Sequence, residues 1–413
     1  MVLTFCVGVC RLNTIVSFTR LCKTKTPNAT QVAFLTRLAR QEPRKKPAPF
    51  PYWRKSYNSF QKYFDPIMFR FDDNTQIVVV DGLPAVGKSK FCQKIADEFG
   101  LLYMPPPTHD QFYVNVYGFD TRELDPQLPF LTRSFDMPRF LENPHDKRTA
   151  HFQMLYLLMR YDQYANALLH MLSTGQGVVL NRCLYSDIVF TEAMKNAGYL
   201  TDHVLQHYMK VRDIAMQLVQ RPQLIIYLDA PAEIIKEKIK QRGLTYEVNS
   251  KVFSTEYLND LERLYKEKYL APLESHSHLL FYDWSKETDF TTIIEDIENI
   301  NFENHADKEK LKDWVFNTDT DVKRLICVNS LGRQKAFGEL CMGFVQDCPK
   351  ELIWTGDDLV QLDEVFDNCV SEKYPPGYNI ECGDNKTWTW SHFDLLSVRR
   401  TPQDFVNRDK YMS

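Results

Sequence analysis

From Gln76 onward the chain alternates between short runs that are almost wholly apolar and longer stretches in which apolar residues return every three or four positions. A run apolar at successive positions fits a strand covered on both faces, and parallel strands need helical crossovers. The alternation therefore predicts a five-stranded parallel sheet inside a three-layer α/β fold. The pattern places strands over residues 76–81, 101–104, 177–181, 223–228 and 278–282. Helices are expected over 89–99, 149–173, 186–196, 201–220, 232–241 and 256–269. In the longest, Phe152, Leu155, Tyr156 and Met159 recur at helical spacing.

Beyond about Asn301 the alternation stops. The tail is charged and aromatic, with the runs KYPPGY at 373–378 and TWTW at 387–390 reading as turns and partner contacts more than an independent core. At the other end, residues 43–53 hold four prolines and three basic residues and read as an extended linker. The expected organisation is a presequence over 1–35, a basic, Pro-rich extension over 36–72, a domain over 73–300 and a C-terminal extension over 301–413 for subunit contacts.

Charge alters this picture mainly at the N-terminus. The whole chain carries a formal net charge of −4 from 50 basic and 54 acidic residues, which gives no electrostatic case for binding nucleic acid. Between Met1 and Tyr57, however, eleven Lys or Arg residues face a single acid, Glu42. That bias, with Ser and Thr interspersed, fits a mitochondrial transit peptide. A secretory signal is the rival reading of the apolar start, but no basic residue precedes it and basic residues continue well past it. Arg11, Asn13 and Arg20 interrupt the first apolar stretch, and no later one reaches membrane-spanning length, so no direct membrane span is expected. Of ten cysteines, three lie in the presequence and the remaining seven cannot all pair, so free thiols are expected. Cys341 and Cys348 lack partners at zinc-ligand spacing.

The clearest chemistry lies in IVVVDGLPAVGKSKF, where Gly82, four residues, then Gly87, Lys88 and Ser89 follow a strand and open a helix. Glycines let backbone N–H groups turn inward around phosphate oxygens, and the helix N-terminus adds a favourable dipole. Gly82, Pro84, Ala85, Val86, Gly87, Lys88 and Ser89 are thus expected to cradle phosphate, with Lys88 on the terminal phosphates and Ser89 on Mg²⁺.

This P-loop, Phe152-Gln153 with Arg160 seven residues later, and VVLNRCLYSD (178–187) together resemble the deoxyribonucleoside kinases from about Gln76 to Tyr282. The match is closer still to a non-kinase branch, the kinase-like accessory subunits of mitochondrial respiratory complex I, NADH:ubiquinone oxidoreductase. The segment STGQGVVLNRCLYSDIVFTEAM (173–194), the extension beyond Asn301 and KYPPGYN extend that resemblance over nearly the whole chain. The resemblance implies that Gln153 reads a base edge through its amide, with Arg160 and Asp187 forming a polar pair beside it and Arg182 lining the same pocket. Gln153 and Arg160 are about two helical turns apart and so share a face.

The departures from the kinase pattern concern transfer rather than binding. Where the kinases carry a general-base Glu at the end of the second strand, this chain has Met104 before Pro105, and a thioether cannot accept that proton. Where a second Glu helps to hold Mg²⁺, Asn181 offers only a neutral amide. In the lid, EKIKQRGLTYE, Arg242 remains while Lys238 and Lys240 lack the bidentate fork of arginine. Phosphoryl transfer rests on positioning and charge stabilisation, and three of its supports are weakened together.

The resemblance therefore implies a non-catalytic accessory subunit of complex I on the matrix side of the inner membrane, binding ATP, ADP or a deoxynucleotide, with Mg²⁺ weakly held through Ser89. Its expected partners are the other subunits of complex I and a purine or deoxynucleotide ligand. Nothing in the sequence indicates FAD or another redox cofactor. The alternative is an active mitochondrial deoxyribonucleoside kinase using ATP and Mg²⁺, with Asp110 or Glu123 supplying the base from the loop after the second strand.

Overall fold

Every residue of the first strand, β1 (Ile77–Gly82), is buried, which requires cover on both faces of the sheet. The computed structural model supplies that cover. It describes residues 35–37, 41, 45–52, 57, 61–285, 289–302, 310–316, 318–330, 348–374 and 378–384. Of the expected presequence only Leu35 is described, buried in the core; the run at 387–390, Cys341 and the centre of KYPPGY lie outside the described residues.

The other strands are β2 (Leu102–Met104), β3 (Val178–Asn181), β4 (Leu224–Asp229) and β5 (His278–Asp283), ordered β2-β3-β1-β4-β5 and all parallel. Each begins and ends within one residue of its expected bounds, because each is a mainly apolar run; β1, β3 and β4 are buried almost throughout, whereas the edge strand β5 has no buried residue. The chain runs outward from β1 to β2, returns through β3 and then crosses to β4, so the sheet's topological switch lies at the carboxyl end of β1.

The longer helices are α1 (Lys88–Phe99), α2 (Thr149–Thr174), α3 (Asp187–Asn196), α4 (Asp202–Met216), α5 (Ala232–Arg242), α6 (Thr255–Leu264), α7 (Phe290–Glu298), α8 (Asp319–Asn329) and α9 (Gly356–Asn368). In α1 the buried positions Lys88, Phe91, Cys92, Ile95, Ala96 and Phe99 form one helical stripe, and Gly100 in the left-handed conformation ends it. The long α2 is buried through most of its length and reads as a central rather than a surface helix.

Two expectations on helix bounds change. The helix expected to run to residue 220 stops at Met216, where the chain turns toward β4. The hydroxyls of Tyr185 and Tyr164 satisfy the carbonyls of Val219 and Gln220 there, at 3.2 and 2.7 Å. The helix expected over 256–269 divides into α6 and a widened π turn, Tyr265–Leu270, of the kind that recurs at functional sites.

The extensions pack on their own domain. Lys46 donates to the Gly175 carbonyl at 3.0 Å, Phe50 N–H donates to the Ser173 carbonyl at 3.1 Å, and Tyr52 O–H meets His170 Nδ1 at 2.9 Å. Arg37 forks onto Glu298 at 3.0 and 2.8 Å. Past residue 300, Phe302, Leu311, Trp314, Val322 and Ile326 join the main hydrophobic core, and Trp314 Nε1–H donates to the Arg221 carbonyl at 2.7 Å. The core therefore continues beyond the boundary expected at residue 300. An aromatic, charged composition concealed an amphipathic helix, α8, that packs against α2. In α9, by contrast, no residue is buried.

Among the described residues no helix is long and apolar enough to cross a membrane. Cys92, Cys183, Cys327, Cys348, Cys369 and Cys382 are free thiols.

Candidate functional site

The site forms where β1, β2 and β3 end side by side: Met104 pairs with Leu180, and Asn181 with Val80. Immediately beyond, the loop leaves β1 at Gly82 with φ 145°, and a Cβ there would lie 2.6 Å from the Leu228 carbonyl oxygen on β4. Gly87, at φ 108°, caps α1. These are backbone conformations that L side chains rarely adopt, which explains both glycines. Ala85 takes φ 57° without being glycine. Pro84 and Ala85 are half-buried, and Val86 is buried beneath the turn.

Lys88 is buried in the first turn of α1. Its ammonium donates to the carbonyls of Gly82 at 2.9 Å and Leu83 at 2.6 Å. Burial, then the nearby Arg182 guanidinium, holds its pKa well below the usual lysine range. Behind the loop Asp81 is fully buried, accepting from Tyr269 at 2.7 Å and Tyr265 at 3.5 Å. Burial raises its pKa, opposed by the Tyr269 hydrogen bond and the Arg182 charge. Arg182 itself sits at φ 65° with its guanidinium 4.2 Å from the Phe190 ring centroid.

At the corner where the kinase pattern places a metal, Asn181 Nδ2 donates to Ser89 Oγ at 3.0 Å, and the Tyr103 hydroxyl lies near both residues. Mg²⁺ requires hard oxygen donors in near-octahedral array. The corner offers neutral groups that already satisfy one another, and Asp81 is engaged from behind by two tyrosines. Among the described residues no group of three or more His, Cys, Asp or Glu side chains could hold a metal ion. The residues present do not fit the ion that the kinase pattern implies. Met104 is partly buried and packs against the core. Asp110 lies in an ion pair with Arg122 at 2.7 Å, and Glu123 is exposed.

In the pocket wall Gln153 is buried on α2. Its amide donates to Asp187 Oδ2 at 3.0 Å and Thr191 Oγ1 at 2.8 Å. Tyr208 donates to the same Asp187 oxygen at 2.8 Å, and burial raises the pKa of this carboxyl. The expected Arg160–Asp187 pair is replaced by a different arrangement. Arg160 reaches the Asn181 carbonyl at 3.1 Å and Gln163 at 3.2 Å, and acts on Asp187 only as a nearby charge. The Tyr208 hydroxyl takes that place. His109, from the loop after β2, stacks on Phe152 with ring centroids 5.2 Å apart and planes at 13°. Burial lowers its pKa to about 4, leaving a neutral imidazole whose Nε2 has no hydrogen-bond partner.

Of the lid residues, Lys238 extends toward the loop, 3.5 Å from the Val86 carbonyl and 3.4 Å from that of Trp284. Arg242 instead pairs with Glu247 at 3.0 Å, and Lys240 is exposed. Asp81, Tyr103, Tyr208, Tyr265, Tyr269 and His109 escaped the sequence reading. Only Asp81 carried a signal, as a carboxylate closing an otherwise apolar strand.

With this geometry the comparisons can be placed. The family model described as deoxynucleoside kinase matches residues 78–318. The mitochondrial NADH dehydrogenase (ubiquinone) 1 alpha subcomplex subunit 10 of Mus musculus is 30% identical over 328 residues, covering 78% of this chain and 85% of that protein. The corresponding protein of Rattus norvegicus is 30% identical over 336 residues, with the same shares covered. The deoxyguanosine kinase of Dictyostelium discoideum is 25% identical over 229 residues, 55% of this chain and 70% of that one. A solved structure of deoxyadenosine kinase from M. mycoides with bound dATP covers 54% of this chain and 97% of its own, at a TM-score of 0.40 and 18% identity. The chain belongs to the deoxynucleoside kinase family and, within it, to the group of the NADH dehydrogenase alpha subcomplex subunit 10 proteins.

Proposed function

We propose that this chain is an accessory, non-catalytic subunit of mitochondrial complex I, on the matrix side of the inner membrane, that holds a nucleotide in a kinase-derived site. The observation that carries this reading is the pair of neutral side chains, Met104 and Asn181, at the strand ends beside a complete phosphate loop. Without a base or a carboxylate-held metal, transfer loses the groups that position and neutralise its reactants. Binding loses nothing comparable, because the loop's backbone N–H groups, Lys88 and Arg182 remain. A ligand bound only to the folded state stabilises it by RT ln(1 + [L]/Kd), about 2.7 kcal/mol at a hundredfold excess over Kd. That is a sufficient physical reason to keep a nucleotide in a subunit that performs no transfer.

The expected outcome is that the purified protein, given ATP, Mg²⁺ and deoxynucleosides, transfers no phosphoryl group above background. The M104E/N181E double variant should gain measurable transfer. Turnover by the unaltered chain at about 1 per second or faster, within the ordinary kinase range, would overturn the reading. Native mass spectrometry of the protein drawn from mitochondria should show it with complex I subunits and a retained nucleotide.

A further inference from the structure

The loop opening α1 normally shares its charge load with a divalent cation, yet the corner where that ion belongs is built from an amide and two hydroxyls. Asn181 Nδ2 donates to Ser89 Oγ at 3.0 Å, so Ser89 is tied to a neutral amide, with the Tyr103 hydroxyl nearby. A cation entering there would have to displace that bond and find no protein carboxylate in exchange. Within the buried surround, the carboxylate of Asp81 is taken by Tyr269 and Tyr265, and that of Asp187 by Gln153 and Tyr208.

Positive charge is abundant at the same place. Lys88 lies inside the loop, Lys238 reaches over it to the Val86 carbonyl, and Arg182 acts directly on Lys88, with Arg160 behind it. Burial first and the Arg182 charge second hold the Lys88 pKa low, and the Asp81 carboxyl behind the loop offsets only part of that. A phosphate chain would relieve that repulsion directly. A metal-bound nucleotide carries two fewer negative charges and would relieve less of it.

We propose that this site takes its nucleotide as the free anion, without a divalent cation, with Lys88, Arg182 and Lys238 supplying the positive charge that a kinase takes in part from its metal. The inference rests on the nucleotide-binding reading above and adds the ionic form of the ligand. It also separates binding from transfer: a nucleotide held without its metal is a stable ligand and a poor phosphoryl donor.

The test is calorimetric titration of the purified full chain with ADP, ATP and deoxynucleoside triphosphates, each in EDTA and again in excess MgCl₂. The expected result is a Kd in EDTA equal to or lower than that in Mg²⁺, allowing a spread of about threefold. Weakening by about tenfold or more in EDTA overturns the proposal. Asn181→Glu should reverse the preference, because its carboxylate repels bare phosphate and recruits the ion. A reversal supports the proposal, and the same preference as the parent in a folded variant counts against it. The parent comparison stands alone if the variant does not fold. Electron paramagnetic resonance with Mn²⁺ supplies a second readout: the nucleotide-loaded protein should leave the aqueous Mn²⁺ signal unchanged, whereas a protein-bound Mn²⁺ spectrum overturns the inference. Failure of every probe to bind in either buffer overturns the nucleotide reading itself, and this inference with it.

Discussion

The phosphate loop and the metal corner lie at the same edge of the sheet, on adjacent strands, and the two have diverged in opposite ways. The loop works through its backbone: two glycines at positive φ, a helix N-terminus and one buried lysine. The corner works through side-chain charge, and here that charge is gone, with Met104 packed on the core and Asn181 bound to Ser89. Backbone geometry is enforced by the fold around it, since Gly82 is pressed against β4 and has no room to change. A carboxylate at a strand end has no such constraint. Binding and transfer can therefore be lost separately, and on the function proposed above it is the side-chain half that has gone in this chain.

Three experiments break or sharpen that contrast. The largest effect is expected from Gly82→Ala, whose Cβ would meet the Leu228 carbonyl at 2.6 Å in a conformation that alanine avoids. It should cost about 3 kcal/mol in chemical denaturation and abolish nucleotide retention. Normal stability would mean that the loop is not held by the sheet. Lys88→Met comes next. Nucleotide affinity should fall about 10- to 100-fold, the worth of a charged hydrogen bond, while the ligand-free protein stays folded because a buried ammonium has been removed. Unchanged affinity in titration would remove Lys88 from the phosphate site.

The smallest effect is a pH dependence that compares the site with the far end of the domain. Burial holds the pKa of His109, at the pocket, and of His170, under the N-terminal extension, near 4. Their contribution is complete above the ordinary histidine value of about 6.5 and is lost as pH falls toward 4. Asp81 and Asp187, raised by burial, run the other way and offset part of that loss. Denaturation midpoints should fall from pH 6.5 to 4, and His170→Gln should flatten the slope without changing nucleotide binding. An equal slope in the variant would place the acid sensitivity elsewhere.

The elements of this protein were legible in its sequence because strands covered on both faces and amphipathic helices write their burial directly into local periodicity. The phosphate loop was legible for a related reason, since its requirements are conformational and fall within eight consecutive residues. The two departures from the kinase pattern, Met104 and Asn181, were visible only against that pattern.

What the tertiary structure decided is which distant side chains complete the site. Tyr265 and Tyr269 come to Asp81 from 184 and 188 residues away. Tyr208 displaces Arg160 beside Asp187, and Tyr103 closes the corner around Ser89. The tertiary structure also decided that the chain past residue 300 returns to the core through Phe302, Trp314 and Ile326. Hydrophobic periodicity records whether a residue is buried, but not against what. A hydrogen bond between residues far apart in the chain depends on the path of every element between them, and no local pattern carries that information.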